Sequence, residues 1–379
     1  MCTGAVRVVI APDKFKGSLT AVDVADALAR GVFDARPQAE VIRIPVADGG
    51  EGTVESAVTA GFEVVKQEVT GPLGDPVQAT FAVKGSTAVV ELAEASGLPL
   101  VAPGQLRPLR ATTRGTGELI KHALDLGCTE IVLGVGGSAS TDGGAGLLQG
   151  LGVSLRDADG RELPGGGGAL IDLHSADISG LDPRLKGTTL TLASDVTHLM
   201  LGPKGAAAVF GPQKGASPED VETLEKGLER YLSVLAEVKG ECVYDAASSE
   251  GSGAAGGSGF AAIALLGAVF RPGIDVMLKL VDFDARCEAA DLVITGEGSL
   301  DQASLGGKAP VGVAARASKR NIPVVAVAGI TKLNQDDLTR AGFDATYSLL
   351  EHEPDLHVCM HETARLLREV AARISNNYL

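Results

Sequence analysis

Two hydrophobic periods alternate along this chain. Residues 6–10 form an unbroken apolar run, a polar stretch follows over 13–18, and after Thr20 apolar residues recur as Val22, Val24, Ala25, Leu28 and Val32. The run reads as a buried strand and the recurrence as a helix, with Thr20 as its N-cap. A second strand over 40–46 leads to Asp48-Gly49-Gly50-Glu51-Gly52, and a helix begins near Thr53. This order is a βαβ unit, which implies parallel strands. The C-terminal part has the same grammar: strand 291–295, loop 296–307, helix 308–319, strand 323–328 and a helix near 334–341. Strand 345–350 and an amphipathic closing helix over 357–374 complete it.

The middle reads differently. Residues 66–105 show short alternating runs broken by turn residues such as Gly71-Pro72-Leu73-Gly74-Asp75-Pro76, as in antiparallel strands. Residues 115–152 give a helix, a strand over 130–135 and a Gly-rich loop opening another helix. Segments 165–168 and 251–259 are loops, and no repeat of solenoid length occurs. The economical architecture is α/β. One parallel-sheet domain is built from both chain ends, 1–65 plus 288–379, and a second α/β domain over 66–287 is inserted between them.

Composition narrows the function. With 379 residues, 45% hydrophobic and 21% charged, the chain is an ordinary globular one of two or three domains. Only 3% is aromatic and Trp is absent, so the core must come from Val, Leu, Ile and Ala, as parallel sheets covered by helices require. The 50 glycines are clustered, not periodic, which points to functional loops. A formal charge of −15 without any basic run argues against nucleic acid as a partner. A few local lysines and backbone N–H groups still suffice for a small anionic substrate. The five cysteines (Cys2, Cys128, Cys242, Cys287, Cys359) lack metal or disulfide-framework spacing, and the opening residues lead into a strand without a secretory pattern. The longest strongly apolar stretch, 260–270, is too short for a bilayer, which needs about 20 residues. These features predict a cytoplasmic protein with reduced thiols and no membrane association.

In open parallel sheets ligands gather beyond the carboxyl ends of strands, and here those loops carry the glycine and the charge. The 13–18 loop holds Lys14 and Lys16; the 48–52 loop pairs carboxylates with glycines. The segment 134–146, around Gly136, Gly137, Ser138, Asp142, Gly143 and Gly144, suits a phosphate cradle at a helix N-terminus. Asp142 reads either as a helix N-cap or as an indirect metal ligand. Walker spacing is absent, so an ordinary P-loop is excluded. The G-x-G-x-x-G match over 251–256 lacks a preceding apolar strand and reads as a loop allowing close backbone approach. Asp195 ends an apolar run, where a carboxylate coordinates a cation, takes a proton or makes a turn. Lys214 lies in a turn, facing phosphate or solvent. Glu297 and Asp301 are loop carboxylates, and Lys308 opens a helix, where the dipole disfavours it unless an anion compensates. His357 and His361 are spaced i,i+4 on an exposed-looking helix and are not read as metal ligands.

The segments IAPDKFKGSLTA (10–21), VADGGEGT (46–53), RGTGELI (114–120) and GVGGSASTDGGAGLLQ (134–149) together resemble the glycerate kinase type-1 family. So do ASDVT (193–197), GPKGAAAVFGPQKGA (202–216), GAAGGSGF (253–260) and DLVITGEGSLDQASLGGKAPVGVA (291–314). The resemblance implies a flavodoxin-like domain from the two ends with an inserted α/β domain, acting as an ATP- and magnesium-dependent kinase for D-glycerate that typically gives 2-phosphoglycerate. It leaves room for a homo-oligomer. Against the family pattern, Lys14 stands for Ser, Thr141 for Asn, His198-Leu199 for Asn-Pro, Ala303 for Gln and Ser304 for Thr. These departures bear on substrate preference, while the charged set including Asp13 and Glu51 is retained.

Under this reading the site is a cleft between the domains. Lys16 and the backbone at 136–138 hold phosphate or the substrate carboxylate, with Gly143, Gly144 and Lys214 also on the nucleotide. Asp48 or Asp195 takes the hydroxyl proton, Asp142, Glu297 and Asp301 hold Mg2+ directly or through water, and Lys308 neutralises the transferring charge. The rival readings are a kinase for another small hydroxy acid, a non-catalytic sugar-acid or nucleotide sensor, and an NAD-linked oxidoreductase resting on the glycine match alone.

Overall fold

The computed structural model describes residues 6–379, so Cys2 lies outside the described residues. The chain divides into two compact units. The first takes in the chain up to Asp48, Glu55–Gly61 and Pro272–Leu379; the second is Gly49–Val54 with Phe62–Arg271. The first unit opens with strands β1 (Arg7–Pro12) and β2 (Glu40–Arg43). The second carries β3 (Glu63–Thr70), β4 (Pro76–Lys84), β5 (Thr87–Glu91), β6 (Glu130–Gly134), β7 (Ser154–Arg156), β8 (Ser175–Asp177), β9 (Thr189–Ala193) and β10 (Val269–Arg271). The first unit then closes with β11 (Leu292–Leu300), β12 (Val324–Thr331) and β13 (Ala345–Ser348).

In the first unit the sheet runs β13-β12-β11-β1-β2 and every pairing is parallel. Successive residues of β1 feed opposite faces, which explains its unbroken apolar run. Val8 and Ile10 pack with helices Ala21–Ala35 and Thr363–Tyr378, while Val9 and Ala11 pack with Ile274, Phe283 and Val313 on the other side. Thr20 caps the first helix, its side chain accepting from the Asp23 N–H. This strand order is the flavodoxin-like one, and it reverses direction between β1 and β11.

The second unit holds a six-stranded sheet, β10-β9-β6-β5-β4-β3. Its β3–β5 part is an antiparallel meander, as the alternating sequence predicts, and β5, β6, β9 and β10 are parallel. Phe81, Leu119, Leu133, Leu192, Leu228, Tyr231 and Phe260 anchor its core. Among the described residues no helix is long and apolar enough to cross a membrane.

Several features differ from expectation. Strand β2 ends at Arg43 and not at 46, and β13 ends at Ser348, where a short helix Leu349–His352 begins. Strand β11 does not end at 295 but runs to Leu300, because its pairing with β12 continues through Glu297 with Ala328 and Ser299 with Ile330. The closing helix is two helices, Leu356–His361 and Thr363–Tyr378, separated where Glu362 leaves helical geometry (φ −113°, ψ 22°). The chain re-enters the first unit at Pro272 rather than at 288, since Ile274, Leu278 and Phe283 bury against Val9, Val293 and Ala326.

Candidate active site

At the β1/β11 reversal the first unit has a cavity of about 470 Å³. Lys16, Asp48, Glu297, Asp301 and Lys308 all line it, so five of the residues singled out in sequence come together, joined by Asp13 and Lys14. Two glycines make the convergence steric fact. A Cβ on Gly296 would lie 2.0 Å from the Val327 carbonyl oxygen, so only glycine lets β11 and β12 pair there. A Cβ on Gly298 would meet the Lys16 nitrogen at 3.3 Å, so the 13–18 loop crosses directly over the strand.

The electrostatics of this cavity are those of excess negative charge partly balanced. Asp13 is buried, bonded through its N–H to the Gly296 carbonyl, and its carboxyl is pushed up to about 7 by burial and then by Asp48, with Glu297 adding. The Lys14 N–H donates to Asp13 Oδ1 at 2.6 Å and opposes the shift. Burial also raises the Glu297 carboxyl, Asp48 and Asp301 adding, against Ser304 and Lys308. Lys308 is the N-cap of helix Ala309–Ser318, and its Nζ lies 4.0 Å from Glu297 Oε2. The anion that a lysine at a helix start calls for is therefore present. Asp301 holds its own turn, accepting from the Ala303 N–H at 3.0 Å.

Among the described residues no three acid, His or Cys side chains form a ready-made metal cage. Mg2+ does not need one: it is commonly held by one or two carboxylates plus substrate phosphates. Carboxylates crowded into one cavity are the donor set such a cation relieves. Asp13, Glu297 and Asp301 fit it.

The remaining candidates belong to the second unit, where most of them organise loops. Asp142 is fully buried. Its carboxylate accepts from the Thr113 N–H and hydroxyl, both at 2.8 Å, and from the Gly144 and Gly146 N–H groups, both at 3.2 Å. Burial pushes this carboxyl up and the four donors work against the shift. With both oxygens hydrogen-bonded, Asp142 caps this loop.

Gly143 and Gly144 are likewise not an open cradle. The Gly143 N–H donates to the Gly256 carbonyl at 2.9 Å, and the Gly144 N–H is the one on Asp142. A Cβ on Gly144 would lie 2.5 Å from the Ala261 Cβ, and one on Gly256 would lie 2.2 Å from the Ser140 oxygen. Gly253 and Gly256 thus serve backbone-to-backbone packing, and Gly251 makes room for the Phe270 ring. Gly136 is half-buried, its N–H bonded to the Gly49 carbonyl, and Gly137 is exposed.

Lys214 faces neither solvent nor an open phosphate seat. It is fully buried, and its ammonium donates to Ser138 Oγ at 2.8 Å and to the Ser140 carbonyl. Burial pushes it down to about 7, against the attraction of Asp142. It braces the Gly-rich loop from behind. Asp195 sits half-buried just beyond β9.

Sequence reasoning missed Glu91. This buried acid at the end of β5 accepts from the Gly52 N–H at 3.3 Å and the Val54 N–H at 3.2 Å, and so fixes the 49–54 segment. Its signal was a carboxylate closing the apolar run Ala88-Val89-Val90. Thr113 was also missed; its hydroxyl donates to Asp142 while accepting from the Leu147 N–H.

Comparison with known proteins gives the family. The model of the Glycerate kinase family matches residues 8–379. The chain is 44% identical to a glycerate kinase of Bacillus subtilis (strain 168), covering 97% of this chain and 98% of that one. It is 44% identical to a glycerate 2-kinase of Escherichia coli (strain K12), over 91% of each. A crystal structure of a glycerate kinase 2 from Salmonella typhimurium LT2 superposes with a TM-score of 0.84 at 43% identity, covering 99% of this chain and 98% of that one. With a family match spanning all but the first residues, and relatives this similar over nine tenths or more of their length, the chain belongs to the glycerate kinase family.

Proposed function

We propose that this protein transfers the terminal phosphoryl group of ATP to a hydroxyl of D-glycerate, giving 2-phosphoglycerate. The observation that carries the proposal is the cavity at the β1/β11 reversal, which gathers lysines and carboxylates where a phosphoryl group must be positioned and its charge neutralised. The printed names of the relatives, glycerate kinase and glycerate 2-kinase, supply the acceptor and the position. We place the reaction in the cytoplasm, where ATP is supplied.

In the reaction the hydroxyl oxygen of glycerate forms a bond to the γ-phosphorus as the bond to the β–γ bridging oxygen breaks, and ADP leaves. Asp48 takes the hydroxyl proton, with Asp195 as the alternative. Lys16 and Lys308 offset charge on the phosphates. Glu297 and Asp301, with Asp13 beside them, would hold Mg2+, which would supply charge neutralisation for the phosphate oxygens. Asp142, Lys214, Thr113 and Glu91 act from behind, holding the 49–54 and 136–146 loops in one conformation.

The test is ADP release from the purified protein with ATP, Mg2+ and D-glycerate, followed by phosphorus NMR of the product. Glycerate-dependent ADP release with the phosphate on carbon 2 is the expected result. Turnover of lactate or tartronate in preference to glycerate would point to another hydroxy-acid kinase, and nucleotide binding without ADP release to a sensor. In the same assay Asp48→Asn should abolish turnover; near-normal turnover would transfer the base role to Asp195.

A further inference from the structure

The lining of the first unit's cavity is of two chemical kinds. One part is the lysines and carboxylates described above. The other is an apolar wall to which Leu356, Met360 and Ile330 contribute. Leu356 and Met360 are i,i+4 on helix Leu356–His361, so they share one face, and they are 64% and 40% exposed. The helix that presents them is held in place. Asp355 accepts the His357 N–H at 2.8 Å, Ser18 donates to the Met360 carbonyl at 2.9 Å, and Cys359 is buried beneath.

A single exposed apolar side chain needs no explanation, but a fixed pair facing a cavity that also holds phosphate-type chemistry does. Glycerate does not supply one. It carries oxygen on every carbon and offers no apolar face, and about 470 Å³ falls within the range for ligands far larger than a three-carbon acid. The flat, weakly polar part of the reaction mixture is the purine ring of the donor.

We infer that the Leu356/Met360 wall seats the adenine ring of ATP, so that base and phosphates of the nucleotide lie along this one cavity of the first unit. The inference rests on the kinase reading and extends it. It moves the nucleotide away from Gly143, Gly144 and Lys214, whose donors are already occupied.

The deciding experiment is calorimetric titration of ADP with Mg2+ into the wild-type protein and the double variant Leu356→Ser/Met360→Ser. Both side chains are exposed, so the fold should persist, which circular dichroism verifies. The dissociation constant for ADP should rise roughly tenfold, the effect of removing an apolar contact of this size. Met360→Leu should retain most of the affinity, and the KM for glycerate should stay at its wild-type value. Unchanged ADP affinity, an equal rise in the glycerate KM, or a wild-type protein that does not bind ADP would each overturn the inference. A wild-type protein that binds ADP in this way yet phosphorylates no glycerate would sink the proposed function and leave the adenine seat standing.

Discussion

Replacing Lys214 by methionine should change how the stability of the second unit depends on pH. Burial lowers this lysine from its ordinary 10.5 to about 7, while in the unfolded chain it returns to the ordinary value. Below pH 7 both states bind the proton, and the folded unit carries the full cost of a buried ammonium. Between about 7 and 10.5 the unfolded state binds more protons than the folded one, so stability rises with pH, by about 1.4 kcal/mol for each pH unit. From pH 7.5 to pH 9.5 the wild type should therefore gain about 3 kcal/mol relative to Lys214→Met. Loss of the bonds to Ser138 and Ser140 adds an offset to the variant, but one that does not vary with pH. Hydrogen exchange at the amides of β6 and β9 reads the opening free energy of this unit alone. Two parallel curves across that window would refute the reasoning. They would show that the ammonium stays charged at its ordinary pKa and that its two oxygen partners fully replace water.

Two further outcomes follow from single contacts. Glu91→Ala removes the acceptor for the Gly52 and Val54 N–H groups, and should lower the stability of the second unit in urea by about 2–3 kcal/mol while opening the 49–54 segment to proteolysis; an unchanged midpoint and cleavage pattern would deny Glu91 that role. Lys308→Met leaves Glu297 without its cation and should reduce glycerate-dependent ADP release about a hundredfold, with partial recovery in Lys308→Arg; activity within a few-fold of wild type would remove Lys308 from the phosphoryl-transfer machinery.

The sequence by itself determined the strand–loop–helix order, the parallel sheet of the chain ends and the antiparallel meander in the middle. It also determined that charge and glycine gather just after strands. Each of these is a local pattern, a period of two or 3.6 residues or a run of turn formers, and needs no distant partner to be read. Lys16, Asp48, Glu297, Asp301 and Lys308 were found this way and share one cavity.

Only the tertiary structure decided what the other charged groups do. The carboxylate of Asp142 is filled by Thr113, 29 positions away, and the ammonium of Lys214 by Ser138, 76 positions away. A short polar segment shows that a carboxylate or an ammonium is present, but not which donors and acceptors arrive to satisfy it. That depends on strands brought side by side from distant parts of the chain. The same holds for Gly296, whose need for a missing Cβ comes from the Val327 carbonyl on the neighbouring strand. It holds too for Leu356 and Met360, whose helical pattern reads as ordinary surface until the cavity beside them is seen.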